Sequence, residues 1–96
     1  MRCLYVVTYD ICDSKRLRLV FRLMRGYGDH LQLSVFRCEL SDRERVELAA
    51  KLSEVINHNE DQVLFFPLGP AGGVRESGVY SLGRAYEASD RGALVI

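Results

Sequence analysis

Apolar residues occupy both parities of residues 2–10, where Leu4, Tyr5, Val6, Val7, Thr8 and Tyr9 run unbroken to Asp10. A run of this length, rich in β-branched and aromatic side chains, predicts a central strand buried on both faces. The period then changes. Over residues 13–26, Leu17, Val20, Phe21 and Met24 recur at i, i+3, i+4 and i+7, one face of a helix. Asp13 or Ser14 suits its N-cap, and Gly26-Tyr27-Gly28 supplies its stop. Residues 31–40 return to alternation with a change of phase. Leu31, Leu33 and Val35 are apolar at odd positions, then Phe36, Cys38 and Leu40 at even ones. A phase change within one strand predicts a bulge or sharp bend near residues 34–36. Ser41-Asp42-Arg43-Glu44 is a capping box opening a second helix to about residue 56. After a turn at 57–60, residues 62–68 form another two-sided apolar strand, ending near Pro67, a poor mid-sheet residue. Residues 69–78 carry glycines and a proline and read as a loop, and 79–86 and 93–96 as two short final strands.

The order β-α-β-α-β-β-β predicts an α+β sandwich, two helices on one face of a mostly antiparallel sheet. Two helices cover one face only. Strands 2–10 and 62–68 are apolar on both, so the second face needs a cover, and a second copy of the chain about a two-fold axis is the least strained one. Long loops and the terminal strands folding over that face are the alternative.

With 96 residues the chain is expected to form one domain, 1–96. No apolar run approaches the ~18–20 residues of a membrane helix, and residues 1–4 do not begin a signal peptide, so a cytoplasmic protein without a membrane role is expected. Cys3, Cys12 and Cys38 lack CxxC spacing, which argues against a disulfide framework and a zinc site. His30 and His58 stand in polar, turn-like settings and read as exposed loop residues. Nucleotide-binding loops and the HExxH and GxSxG patterns are absent.

Thirteen bases and thirteen acids cancel, yet their distribution is uneven. Lys15, Arg16, Arg18, Arg22 and Arg25 stand together without an acid among them, whereas residues 39–61 are mainly acidic. Lys15, Arg18, Arg22 and Arg25 recur along one helix face, and arginine grips phosphate bidentately. The row reads either as a nucleic-acid backbone contact, with Arg16 beside it, or as a solvated face. Asp10, at the end of a buried strand and just before this helix, is the best single candidate for chemistry. Asp13 competes for the helix cap from a better position and leaves Asp10 free. One carboxylate makes a poor Mg²⁺ site, but a two-fold dimer presents Asp10 twice, and two carboxylates with a scissile phosphate support metal-assisted hydrolysis. Arg16 and Arg18 are placed to steady that phosphate.

Tyr9-Asp10-Ile11, Asp13, the run Lys15-Arg16-Leu17-Arg18, Gly26-Tyr27-Gly28 and Gln32-Leu33-Ser34-Val35-Phe36 follow in order. Ser41-Asp42-Arg43, Phe66-Pro67-Leu68 and Ser81-Leu82-Gly83 come after them. In this succession, spanning nearly the whole chain, the sequence resembles the small CRISPR-associated adaptation protein family, the dimeric partner of the CRISPR-associated integrase. The resemblance implies a ferredoxin-like fold and a homodimer whose C-terminal strand, within residues 79–96, joins the partner's sheet. It also implies a part in acquiring spacers, held with the integrase on duplex DNA. Several members are metal-dependent RNases or DNases in which the aspartate ending the first strand binds the metal. That position is Asp10 here, with Mg²⁺ or Mn²⁺ as the implied ion. The surrounding family site carries over to Tyr9, Arg16, Arg18, Ser34 and Phe36, although Tyr9 also reads as core and Ser34 and Phe36 as bend residues. Two functions follow: a nuclease cutting RNA or DNA at paired Asp10 residues, and a non-catalytic scaffold gripping duplex backbone, the preferred biological role. A ferredoxin-like RNA-binding or regulatory module is a third, weakened by the lack of an RNA-recognition aromatic signature.

Overall fold

The computed structural model describes residues 1–72 and 81–84. Its elements are β1 (Arg2–Asp10), α1 (Ser14–Arg25), β2 (Gly28–Gln32), β3 (Val35–Ser41), α2 (Asp42–Val55) and β4 (Gln62–Pro70). The strands form one sheet in the order β2-β3-β1-β4, every neighbour antiparallel. This is the α+β, ferredoxin-like arrangement, with β1 central as its two-sided apolar run requires.

Both helices pack on one face. Alternation sends Tyr5, Val7 and Tyr9 of β1 to that face, where they meet Phe36, Cys38 and Leu40 of β3. Val20 and Met24 of α1 and Leu48 and Leu52 of α2 close the same core. Asp13 caps α1, its carboxylate accepting from Arg16 N–H at 2.9 Å. The capping box at α2 is complete: Glu44 N–H donates to Ser41 Oγ at 3.1 Å and Ser41 N–H to Glu44 Oε1 at 2.9 Å.

The phase change in residues 31–40 is a chain reversal, a correction to the single bent strand. β2 and β3 form a hairpin turning at Leu33-Ser34, with Gln32 opposite Val35 and an irregular register between His30 and Gln32. Each strand has its own parity, and the even positions of both face the core: Gly28 opposite Cys38, His30 opposite Phe36. Leu33, apolar in the odd-numbered set, is 90% exposed at the hairpin tip. His30 is likewise no loop residue; it lies within β2, half-buried, its ring edge-on to Phe21 at 4.9 Å and beside Phe36 at 5.0 Å. Pro67 sits inside β4, the edge strand among the described residues, where it is tolerated, next to the register shift opposite Leu4 and Tyr5.

The opposite face of the sheet carries Leu4, Val6 and Thr8 of β1 beside Leu64 and Phe66 of β4, paired Val6 with Phe66 and Thr8 with Leu64. Leu64, Phe66 and Leu68 remain exposed. All three cysteines are free thiols: Cys38 buried, Cys3 half-buried and Cys12 exposed. Among the described residues no helix is long and apolar enough to cross a membrane. The expected strands at 79–86 and 93–96 lie largely outside the described residues; 81–84 belong to no element.

Candidate active site at the end of the first strand

β1 delivers Asp10 to its C-terminal end, on the parity of Leu4, Val6 and Thr8 and opposite Gln62 of β4. Among the described residues its carboxylate has no hydrogen-bond or ion-pair partner, consistent with Asp13 having taken the cap. Asp10 borders a concavity of about 560 Å³ that runs between the first turns of α1 and the β2–β3 hairpin. Tyr9, Ser14, Arg18 and Ser34 line it with Asp10, over an apolar floor of Ile11, Leu17, Phe21 and Leu33. Four of the six residues expected at the site, Tyr9, Asp10, Arg18 and Ser34, therefore share one groove.

The hairpin is tied to β1 at this point. Tyr9 N–H donates to Ser34 O at 3.1 Å, and the carbonyl of Leu33 accepts from His30 Nε2 at 3.0 Å. The Tyr9 hydroxyl points at that same carbonyl, a long contact of 3.5 Å. Burial pushes the Tyr9 phenol up to about 12, so it stays protonated at neutral pH. Phe36 has no exposed surface; it packs under the groove against Phe21 at 5.6 Å and Tyr9 at 6.2 Å. It can shape the groove but cannot touch a substrate there.

Arg16 is drawn elsewhere. Its Nε donates to Asp61 Oδ2 at 2.8 Å, and its Nη2 to Asp61 Oδ1 at 3.3 Å and Glu60 Oε1 at 3.1 Å. The Asp61 side chain has no exposed surface and accepts two backbone N–H groups as well, Cys12 at 2.9 Å and Asn57 at 2.8 Å. The guanidinium fork first, then the backbone donors, hold this carboxyl well below the usual carboxylate range against the opposing effect of burial. Sequence reasoning missed Asp61. Its one local signal is an acid closing the turn Asn57-His58-Asn59-Glu60 just before a strand; its partner stands 45 residues away.

Lys15, Arg18 and Arg22 are exposed on α1 without an acidic partner among the described residues, and half-buried Arg25 continues their row. Arg22 and Arg25 complement the helix C-terminus, and Lys15 lies in the first turn, whose N-terminal end carries the Asp13 carboxylate as its cap.

Among the described residues no cluster of three or more His, Cys, Asp or Glu could hold a metal. The Asp10 carboxylate is a hard oxygen donor of the kind Mg²⁺ takes, one or two at a time, together with phosphate oxygens and several waters.

The sequence profile of the family described as CRISPR associated protein Cas2 matches residues 1–72. A protein of Rhodospirillum rubrum named CRISPR-associated endoribonuclease Cas2 1 is 48% identical over 92 residues, 96% of this chain and 89% of its own length. One of Geobacter sulfurreducens, named CRISPR-associated endoribonuclease Cas2, is 41% identical over 96 residues and the full length of both. The crystal structure of Streptococcus pyogenes Cas2 superposes with a TM-score of 0.71 at 33% identity, covering 83% of this chain and 99% of that one.

Proposed function

This chain belongs to the Cas2 family of CRISPR-associated proteins, and on that premise we propose that it binds nucleic-acid backbone as a homodimer and cleaves phosphodiester bonds at Asp10. The observation that carries the proposal is that Asp10 and Arg18, neither with a charged partner among the described residues, border one groove. An anionic ligand for a hard cation and a cationic contact for a phosphate are what metal-assisted phosphodiester hydrolysis asks of a protein.

Each residue has a part in this reading. Asp10 of each protomer would hold Mg²⁺ or Mn²⁺, which when bound supplies a polarised phosphoryl group and an activated water. Arg18 binds a non-bridging phosphate oxygen and draws the backbone into the groove. Ser34 offers a hydroxyl at the rim, and Tyr9, with Phe36 beneath it, holds the hairpin wall in place. Lys15, Arg22 and Arg25 extend the phosphate contact along α1 without reading bases, giving salt-sensitive, sequence-tolerant binding. The names of the Rhodospirillum and Geobacter relatives favour RNA as the strand cut.

A second reading rests on the basic row, which extends beyond the groove. In it the dimer grips duplex DNA and spaces integrase units during spacer acquisition, without cleaving. Asp10→Asn separates the two. Asn keeps the shape but binds a hard cation poorly. Metal-dependent cleavage of RNA and DNA should vanish, while the melting temperature and duplex affinity stay unchanged. Cleavage retained by the variant refutes the Asp10 assignment; a wild type that cleaves neither RNA nor DNA across pH, with either metal, leaves the scaffold.

A further inference from the structure

We propose that Asp61 is a positioning residue for the candidate site: its buried carboxylate clamps the turn that follows Asp10 to the start of α1 and to the turn before β4. The inference rests on the nuclease reading of Asp10 only in its kinetic part.

Between Asp10 and the Asp13 cap the chain has left the sheet and not yet entered the helix, so neither backbone ladder fixes Ile11 and Cys12. Asp61 supplies what is missing. Oδ1 accepts from Cys12 N–H, two residues beyond Asp10, and Oδ2 from Asn57 N–H in the turn after α2. The Arg16 fork joins both oxygens from the first turn of α1. One carboxylate thus ties the stretch from Cys12 to Arg16 to the 57–61 turn, two parts of the chain that are adjacent only in space. Gln62, the next residue along, pairs with Asp10 across β1 and β4. Asp10 is therefore bracketed by β4 at its side and by the Cys12 bond just beyond it.

The chemistry suits a clamp rather than a surface ion pair. The Asp61 side chain has no exposed surface and takes directional donors on both oxygens, so an amide in its place keeps one acceptor and leaves the donors of the other oxygen facing an NH₂ group. The arrangement also divides the two arginines. Arg16 is committed to Asp61 and Glu60 and acts as a strut, whereas Arg18, two residues on, faces the groove. Lysine in place of Arg16 keeps the charge but not the planar fork.

The test compares the full-length wild type with Asp61→Asn, Arg16→Lys and, as an equally destabilised control remote from Asp10, Leu48→Ala. Amide hydrogen exchange on metal-free protein is read first. Asp61→Asn should speed exchange over residues 11–16 about tenfold more than Leu48→Ala does, while central β1 and β3 amides respond alike in both. Cleavage of single-stranded RNA in Mn²⁺ is read second. Asp61→Asn should lower kcat by up to about a hundredfold with KM little changed, as expected for a misplaced group, and Arg16→Lys should fall between. Where Asp61→Asn does not fold, Arg16→Lys carries both readouts. Unchanged exchange over 11–16 overturns the clamp. Faster exchange with wild-type kcat overturns positioning and leaves a structural bond. A wild type that does not cleave refutes the nuclease reading instead, and local exchange then decides the clamp alone.

Discussion

Tyr9 shows how one residue serves both core and site. Its ring closes the core against Phe36, while its backbone N–H and hydroxyl reach the Leu33-Ser34 turn that walls the groove. Burial raises its folded pKa from the usual 10.0 to about 12, so the folded state holds a proton that the unfolded chain releases. Stability from this group is fully present below about pH 10 and falls as pH rises through 10–12. Absorbance titration should find Tyr9 ionising about two units late, and this late step should be missing in Tyr9→Phe, whose stability should fall less across that window. Asp61 carries the opposite sign. Its depressed pKa favours folding above the ordinary carboxylate range and loses that contribution as acid protonates it.

At the scale of elements, β2 depends on a close approach. A Cβ on Gly28 would collide with Cys38 Sγ and lie 2.5 Å from Arg37 O, a backbone atom of β3 that cannot swing aside. Gly28→Ala should therefore destabilise by about 1–3 kcal/mol in chemical denaturation, as overpacking does. Gly26→Ala should be nearly neutral, since φ there is −75° and the nearest atom would lie at 3.4 Å. The prediction for α1 concerns charge. Reversing Arg18 and Arg22 to glutamate should weaken duplex binding and reduce the slope of log K against log salt by about 0.9 for each phosphate no longer neutralised. An unchanged slope returns the row to a solvated face.

At the scale of the whole molecule, no described residue packs over the second face of the sheet. Leu64 at 42%, Phe66 at 47% and Leu68 at 45% exposure form an apolar edge beside Val6 and Thr8, and Asp10 shares their face. A two-fold partner on this face would cover the patch and bring two Asp10 residues toward one axis. Light scattering at micromolar concentration should give about twice the chain mass, and Phe66→Glu should give a folded monomer. A monomeric wild type would remove both the dimer and the shared metal site.

The central strand was legible because its apolar run has no polar face, and both helices because the 3.6-residue period and the caps at Asp13 and Ser41 agree. The Asp10 position was legible too, since an acid ending a buried strand has few structural uses once Asp13 holds the cap. The hairpin was not. A change of phase marks a bend and a reversal alike, and only the pairing of His30 with Phe36 distinguishes them. Nor was the separation of Arg16 from Arg18 legible, because their spacing permits both to face one phosphate until Asp61 arrives from the turn before β4. Local periodicity and capping act within a few residues, so the sequence alone determined the central strand, both helices and the place of Asp10. Hairpin pairing and the buried Asp61–Arg16 contact join residues separated by a turn or by half the chain, and those only the tertiary structure decided.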